Sequence, residues 1–254
     1  MKTNKNKGIQ LKEKVIGILG GMGPEATAES FYRIIKATPA KKDQCHLRII
    51  IDNNPKIADR TEAIVGGRTS PLPEMVKTAK NLERAGADFI IMPCNSAHYY
   101  YEDLKKSVGI PVLNMIELTA ETIEKEFPNV RNVGIIATTG TVKAKIFDQA
   151  LARIGVNVIY PPPDLQNRVM EAIYDKIKAG RNREGKKILV NVVRYLTQKG
   201  SDMIIIGCTE ASLVLKDVAS PVRIIDPLQI LSEIAVATAL GNVKTETHAF
   251  RRQQ

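Results

Sequence analysis

Two stretches of this 254-residue chain are near-copies of each other, Asp88-Phe-Ile-Ile-Met-Pro-Cys94-Asn-Ser-Ala-His98 and Asp202-Met-Ile-Ile-Ile-Gly-Cys208-Thr-Glu-Ala-Ser212. Each opens on an aspartate, runs through β-branched and apolar residues, and stops at a cysteine followed by amide or hydroxyl residues. An apolar run of this length reads as a buried strand of a parallel sheet. Asn95, Ser96 and Thr209 are helix-capping types, so each cysteine is expected on a strand-to-helix turn. Open α/β sheets bind ligands at such turns. The copying is not confined to these segments. Gly134 follows Gly17 by 117 residues, Cys208 follows Cys94 by 114, and Pro221 follows Pro111 by 110. A similar but drifting offset means two homologous halves with loop insertions, at a period too long for a solenoid.

Each half alternates strand and helix. Strands are predicted at 15–19, 47–51, 89–92 and 111–115, then at 132–137, 156–160, 203–206 and 221–225. Helices are predicted at 25–36, 73–85, 97–107, 118–126, 142–154, 164–179, 186–199 and 228–240, with 52–60 as a loop. Such alternation gives right-handed βαβ crossovers. The expected fold is therefore α/β, with two similar parallel-sheet domains related by a pseudo-twofold. Their strand ends would bring Cys94 and Cys208 together across a cleft. The domains are expected at 15–116 plus 227–240 and at 117–226, with disordered tails at 1–13 and 242–254.

Composition narrows the function. Hydrophobic residues make up 44% and charged residues 25%, as in soluble globular proteins. No apolar run approaches the roughly 20 residues of a membrane helix, so no membrane partner is expected. The apolar run Val15 to Leu19 is too short for a signal-peptide core. Three widely spaced cysteines make no disulfide framework, which fits a reducing cytoplasm. The net charge of +10 raises the question of nucleic acid. Yet Lys and Arg are scattered, and five Phe, seven Tyr and no Trp supply few stacking platforms. Nucleic acid is not expected as a partner, and an anionic small molecule makes better use of the charge.

Cys94 and Cys208 stand just beyond strands at equivalent places, which favours acid/base chemistry over plain core packing. A helix start also favours thiolate over thiol. Cys45 lacks a counterpart and reads as structural. Cys45-His46 suggests a metal, but three histidines in the chain give no ligand set. The turns at Gly20-Gly-Met22-Gly23-Pro24 and at Thr138-Thr139-Gly-Thr141 can present backbone N–H groups to a carboxylate. The first is not a dinucleotide fingerprint. Asn95, Ser96 and Thr209 can cap and also donate to substrate. His98, one helical turn after Cys94, reads as a hydrogen-bonded structural residue rather than a proton relay. Glu210 either orients a neighbour or favours the helix start. Tyr174 and Lys178 share a helix face, and Arg60 follows the 52–59 loop; by sequence alone both charges read as surface.

Gly17-Ile-Leu-Gly-Gly-Met-Gly-Pro-Glu-Ala-Thr27, Met92-Pro-Cys-Asn-Ser-Ala-His98 and Gly207-Cys-Thr-Glu210, in this order and with the duplication, resemble the aspartate/glutamate racemase family. They are most similar to its cofactor-independent aspartate racemases, from about residue 15 to 240. Glutamate racemases share the two cysteines but normally carry Asp-Ser-Gly, Ala-Cys-Asn and Gly-Cys-Thr-His segments. The resemblance implies a homodimer, no pyridoxal phosphate, and Cys94 and Cys208 as the two proton-transfer residues. It implies that Cys208 faces the proton of the L-enantiomer and Cys94 that of the D-enantiomer. It also implies that Arg60 and the Tyr174–Lys178 helix contact an acidic side chain, which lifts both cations above surface charge. Ser96 departs from the family's more usual Thr but keeps the hydroxyl. Three further readings stay open: racemisation of glutamate or a hydantoin, a decarboxylase-type reaction, and a non-catalytic binder of anionic metabolites or nucleic acid.

Overall fold

The computed structural model describes residues 13–242. The expected tails fall, apart from Glu13 and Asn242, outside the described residues. The chain runs β1 (Ile16–Gly20), α1 (Pro24–Ala37), β2 (Ile49–Asn53), α2 (Arg60–Gly66), α3 (Leu72–Arg84), β3 (Phe89–Ile91), a 3-10 turn (Ser96–Tyr100), α4 (Tyr101–Lys106) and α5 (Met115–Glu126). It continues through β4 (Asn132–Ala137), α6 (Thr139–Lys143), α7 (Asp148–Arg153), β5 (Asn157–Ile159), α8 (Pro163–Met170), a π-helical segment (Glu171–Ile177), α9 (Asn182–Gln198), β6 (Met203–Gly207), α10 (Thr209–Leu215), β7 (Arg223–Ile225) and α11 (Pro227–Ala239).

The strands form two parallel sheets, in the orders β2-β1-β3 and β5-β4-β6-β7. The first gains a parallel bridge between Ile90 and Val112, so both halves share one strand order. Residues 111–115 were expected to be a full strand, and the bridge is all that forms. The cause is Asn114, whose side chain accepts from the N–H groups of Ile116 (3.0 Å) and Glu117 (3.3 Å) and starts α5 at once.

Alternation along the strands sorts the side chains into layers. Ile16, Ile18, Phe89 and Ile91 of the first sheet share one buried cluster with Val133, Ile135, Met203 and Ile205 of the second. α5 and α11 contribute to this common core, and α11 packs on both α1 and α5. The opposite parity faces outward. Ile90, Met92 and Cys94 pack beneath α3 and α4, while Ile204, Ile206 and Cys208 pack beneath α8, the π segment and α9.

The duplication is visible atom by atom. A Cβ on Gly17 would lie 2.9 Å from Ala87 Cβ and 3.4 Å from Leu82 Cβ. On Gly134 it would lie 2.7 Å from Ser201 Oγ and 3.0 Å from Leu196 Cβ. Leu196 and Ser201 follow Leu82 and Ala87 by 114 residues, so each glycine lets the equivalent helix settle on its strand. The two aspartates that open the repeated segments are clamps. Asp88 Oδ2 accepts from Val15 N (2.6 Å), and Asp202 Oδ2 accepts from Arg131 N (2.9 Å) and Asn132 N (2.8 Å).

Four helices differ from expectation, the first being 97–107, which opens as the 3-10 turn Ser96–Tyr100 before α4. Residues 60–66, read as the end of a loop and the stretch beyond it, form α2, capped by Asp59 accepting from Glu62 N at 2.9 Å. The 142–154 helix is broken at Lys145, which adopts φ 49°, and the break buries Phe147 completely. The 164–179 helix widens to π pitch at Glu171–Ile177. Among the described residues, no helix is long and apolar enough to cross a membrane.

Candidate active site

The C-terminal ends of the two sheets meet at a cavity of about 20 Å³, and both Cys94 and Cys208 line it. Each cysteine is almost wholly buried, at 6% and 4% exposure. From the first half come Met22, Arg60, Asn95 and Ser96, and from the second Thr138, Tyr174, Lys178, Thr209 and Glu210. Asp59 and Thr61 also line it. A wider groove of about 410 Å³ adjoins on the solvent side, where Gly23 lies. Asp59, Arg60, Lys178 and Glu210 border both spaces and so form the partition between them.

The glycine turn after β1 is folded by Thr27, whose hydroxyl accepts from Gly21 N (3.0 Å) and donates to Gly23 O (2.9 Å). This buries Met22 and aims its carbonyl at Arg60 Nη2, 3.3 Å away. Arg60 Nη1 donates to Ala58 O (2.9 Å) and Ile57 O (3.3 Å). Its guanidinium is thus held by three carbonyls, while its buried Nε has no hydrogen-bond partner among the described residues. Asn95 is the other unsatisfied group: it is 2% exposed, and neither Oδ1 nor Nδ2 has such a partner. A buried side-chain amide left this way is costly unless something else completes it.

Ser96 is engaged differently. Its hydroxyl lies 3.0 Å from Thr138 Oγ1 and 2.8 Å from Thr141 Oγ1, a buried cluster that ties the Cys94 turn to the start of α6. Thr139 is not in the cavity wall; its N–H points to Met170 Sδ (3.2 Å) and its hydroxyl accepts from Gln166 Nε2 (3.3 Å).

The opposite wall is an ionic chain. Cys208 Sγ donates to Glu210 Oε2 at 3.1 Å, and Glu210 Oε1 pairs with Lys178 Nζ at 3.6 Å. Lys178 Nζ sits 4.4 Å from the centroid of the Tyr174 ring, a cation–π contact. Tyr174 donates across the cleft to Asp59 Oδ2 at 2.9 Å. The π pitch contributes to this alignment, since Lys178 N–H reaches back five residues to Ile173 O (3.0 Å).

The thiols do not behave as helix starts alone would suggest. Burial pushes both upward, Cys208 well above its ordinary value. At Cys208 the carboxylate of Glu210 raises the thiol further. At Cys94 the Arg60 guanidinium opposes the rise. Backbone N–H groups at Ala97 and Ala211 lower each thiol as the helix-start argument requires, but desolvation outweighs them. His98 serves the scaffold: its Nδ1 donates to Cys94 O (2.8 Å) and its Nε2 accepts from Met115 N (3.1 Å). Burial lowers its pKa to about 4, so it stays neutral. Cys45, read as structural, is exposed on a short turn instead.

Sequence reasoning missed Asp59 and Thr61. The signal was present, because Asp59-Arg-Thr-Glu62 is a helix-start pattern with an acid at the cap and another three residues on.

A model of the family described as Asp/Glu/Hydantoin racemase matches residues 19–235. The broad specificity amino-acid racemase RacX of Bacillus subtilis (strain 168) is 30% identical over 241 residues, spanning 89% of this chain and 99% of that protein. The Picrophilus torridus aspartate racemase superposes with a TM-score of 0.79 at 30% identity, covering 93% of this chain and 99% of that one. The glutamate racemase of Aquifex pyrophilus shares the fold, with a TM-score of 0.54 at 20% identity over 92% of this chain and 85% of that one. The duplicated sheets, the paired cysteines and these matches agree: the chain belongs to the Asp/Glu/hydantoin racemase family.

Proposed function

We propose that the protein is a cofactor-independent amino-acid racemase that interconverts L- and D-aspartate, with glutamate as a second substrate, by proton transfer between Cys94 and Cys208. The observation that carries this reading is the convergence of two buried cysteines, from equivalent strand ends of a duplicated fold, on one cavity. One sulfur, as thiolate, takes the α-proton and becomes a thiol. The C–H electron pair moves into an enolate-like carboxylate. The other sulfur, as thiol, gives its proton to the opposite face and becomes the thiolate. Glu210 raises both thiols, but it hydrogen-bonds only Cys208, whereas Arg60 offsets the rise at Cys94, which makes Cys94 the better-supported site of the resting negative charge.

The developing charge needs preorganised donors in a dry site. Asn95, whose buried amide has no hydrogen-bond partner among the described residues, and the backbone N–H of Thr209 at the start of α10 would supply them, the Thr209 hydroxyl donating to Glu210 (3.4 Å). Ser96 and Thr138 act one step back, by locking the cleft floor through their shared hydroxyl cluster. Arg60, through its unpartnered Nε, and Lys178, which now pairs with Glu210, are the cations that would meet an acidic side chain. Domain limits at 15–116 plus 227–240 and 117–226, and a homodimeric assembly, complete the proposal.

A broader substrate range is a second reading, favoured by one observation. Arg60 and Lys178 are balanced in the cavity wall by Asp59 and Glu210, so the wall carries no surplus charge that demands an acidic side chain. The test is to offer L-aspartate, L-glutamate and L-alanine in deuterated water without pyridoxal phosphate. Loss of optical activity together with one α-deuterium is expected for aspartate. No exchange with any of the three would overturn the racemase reading, and equal turnover of all three would replace the first reading by the second.

A further inference from the structure

Glu29, Tyr32, Arg33 and Lys36 follow one another at helical spacing, so α1 carries them as a single stripe. The stripe forms one wall of a groove of about 580 Å³. Among the described residues, this groove shares no lining with the cysteine cavity or with the groove outside it. The facing wall comes from the second half, with Lys216 capping α10, and with Val218, Val222 and Ile224 leading into and through β7. Asp226, the cap of α11, lies at the junction. Arg33 is buried here, at 7% exposure, and its donors are not all used. Nε donates to Glu29 (2.9 Å) and Nη1 to Asp226 (2.6 Å), but Nη2 has no hydrogen-bond partner among the described residues. Both carboxylates are otherwise engaged. Asp226 also accepts from the Ser212 hydroxyl and from Leu228 N (3.0 Å), and Lys216 Nζ approaches Glu29 to 3.5 Å. A buried guanidinium N–H left over costs free energy until an acceptor meets it. The charge balance points the same way: Arg33, Lys36 and Lys216 against Glu29 and Asp226 leave the lining with one positive charge in surplus.

We propose that this groove is a second ligand site, for a small organic anion whose carboxylate or phosphate meets Arg33, Lys36 and Lys216 and whose apolar body lies on Val218, Val222 and Ile224. Three features fix the class. The volume falls within the range of about 300–1,000 Å³ typical of small-molecule pockets. The unpartnered donor belongs to an arginine, whose planar fork matches a carboxylate or phosphate. Val218, Val222 and Ile224 are only partly buried, and an inorganic anion would leave them wet. Tyr32 is 53% exposed at the rim, with Lys36 Nζ 5.3 Å from its ring centroid, and offers a flat apolar face to a ring on the ligand. The site is independent of the racemase reading, since no residue of the cysteine cavity takes part.

The experiment titrates the full chain by calorimetry with phenyl phosphate and benzoate, which carry both features, and with inorganic phosphate and benzyl alcohol, which carry one each. At least one of the two aromatic anions should bind with a Kd of about 1 mM, as expected for ligands of this size, and the tighter of them names the head group. Inorganic phosphate and benzyl alcohol should bind at least about tenfold more weakly. Lys36→Gln and Lys216→Gln, both on exposed residues, should each weaken the aromatic anion about threefold and leave benzyl alcohol alone. Val222→Trp fills the apolar side and should abolish binding of the anion while far-UV circular dichroism and Tm hold. Arg33→Lys keeps the charge without the fork and should cost about tenfold in affinity. Where Arg33→Lys does not fold, the two lysine variants and Val222→Trp decide. No binding by either aromatic anion overturns the proposal, as does binding no tighter than that of inorganic phosphate. Undiminished binding by Val222→Trp, or full displacement by L-aspartate, places the probe in the cysteine cavity and also overturns it. So does a Kd that weakens as protein concentration rises, which means that a second copy covers the groove.

Discussion

The surroundings of Cys94 and Cys208 began as copies and now differ where it matters for proton transfer. What lies behind the sulfurs is retained. Asp88 and Asp202 each clamp the start of the neighbouring first strand. His98 and Ser212, at matching positions, each fasten the next helix: His98 through Met115 N at the start of α5, Ser212 through Asp226, the cap of α11. What faces the cavity has diverged. Two residues after Cys94 stands Ser96, whose hydroxyl knits the floor; two residues after Cys208 stands Glu210, which touches the sulfur itself. One thiol lies near a guanidinium and the other against a carboxylate. The scaffold positions of a duplicated fold are interchangeable, and the wall positions are not. Under the proposed two-base mechanism both sulfurs would serve as base in turn, yet they are chemically unequal at rest.

The strongest way to break this comparison is to remove each sulfur in turn. Cys94→Ala and Cys208→Ala should each lower racemisation by about a hundredfold to ten-thousandfold, followed by polarimetry. Each variant should still exchange the α-proton of one enantiomer with deuterated solvent: L-aspartate where Cys208 survives, D-aspartate where Cys94 does. A variant that inverts aspartate at near-native rate removes the two-base mechanism altogether.

The cations come next. Arg60→Ala should reduce kcat/KM for aspartate by roughly 2–5 kcal/mol in transition-state terms, the range for unpairing a buried charge. Lys178→Ala should act in the same direction and less, because Lys178 already has Glu210 as partner. Equal losses for aspartate and alanine would show that these residues hold the common α-carboxylate or the fold rather than the side chain.

Glu210→Gln sharpens the difference between the sulfurs by erasing it. Glu210 raises both thiols but touches only Cys208, so its neutralisation should lower Cys208 more than Cys94 and bring the two closer. The alkaline rise of kcat/KM for the direction in which Cys208 is the base should move to lower pH, with a change of about tenfold in rate. A pH profile that does not move excludes Glu210 as the source of the asymmetry.

The remaining prediction concerns His98 and stability rather than turnover. Its folded pKa, about 4, lies below the ordinary value of 6.5 because burial penalises the cation. The unfolded chain therefore takes up a proton that the native protein refuses. Stability is intact above pH 6.5 and falls by up to about 3 kcal/mol as pH drops toward 4. His98→Asn should flatten that part of the Tm profile, and Ser212→Ala, its counterpart, should leave the profile's shape alone. A His98→Asn profile as steep as that of the wild type assigns the acid sensitivity elsewhere.

The strand-to-cysteine segments were legible because a buried strand has a strong apolar signature and a copied one has it twice. Helix α2 was hidden by its length: seven residues after a loop rich in Pro and Asn carry little periodicity, so the cap at Asp59 was the sole clue. The bridge at Val112 could not be told from a strand, because Asn114 ends it by a side-chain bond that composition does not announce. The rise of the thiol pKa values was illegible for a different reason. Helix starts can be read from order along the chain, whereas desolvation depends on how completely the two halves close over the sulfurs.

The apolar layer common to both sheets has an evolutionary corollary. Ile16, Ile18, Phe89 and Ile91 share one buried cluster with their counterparts Val133, Ile135, Met203 and Ile205 and with side chains of α5 and α11. A half-length forebear would have carried that sticky face with nothing of its own to place on it. Two identical copies, back to back, would have satisfied it by symmetry. Only once the two copies are joined in one chain can they differ, so that one sulfur carries an acid at its side while the other does not.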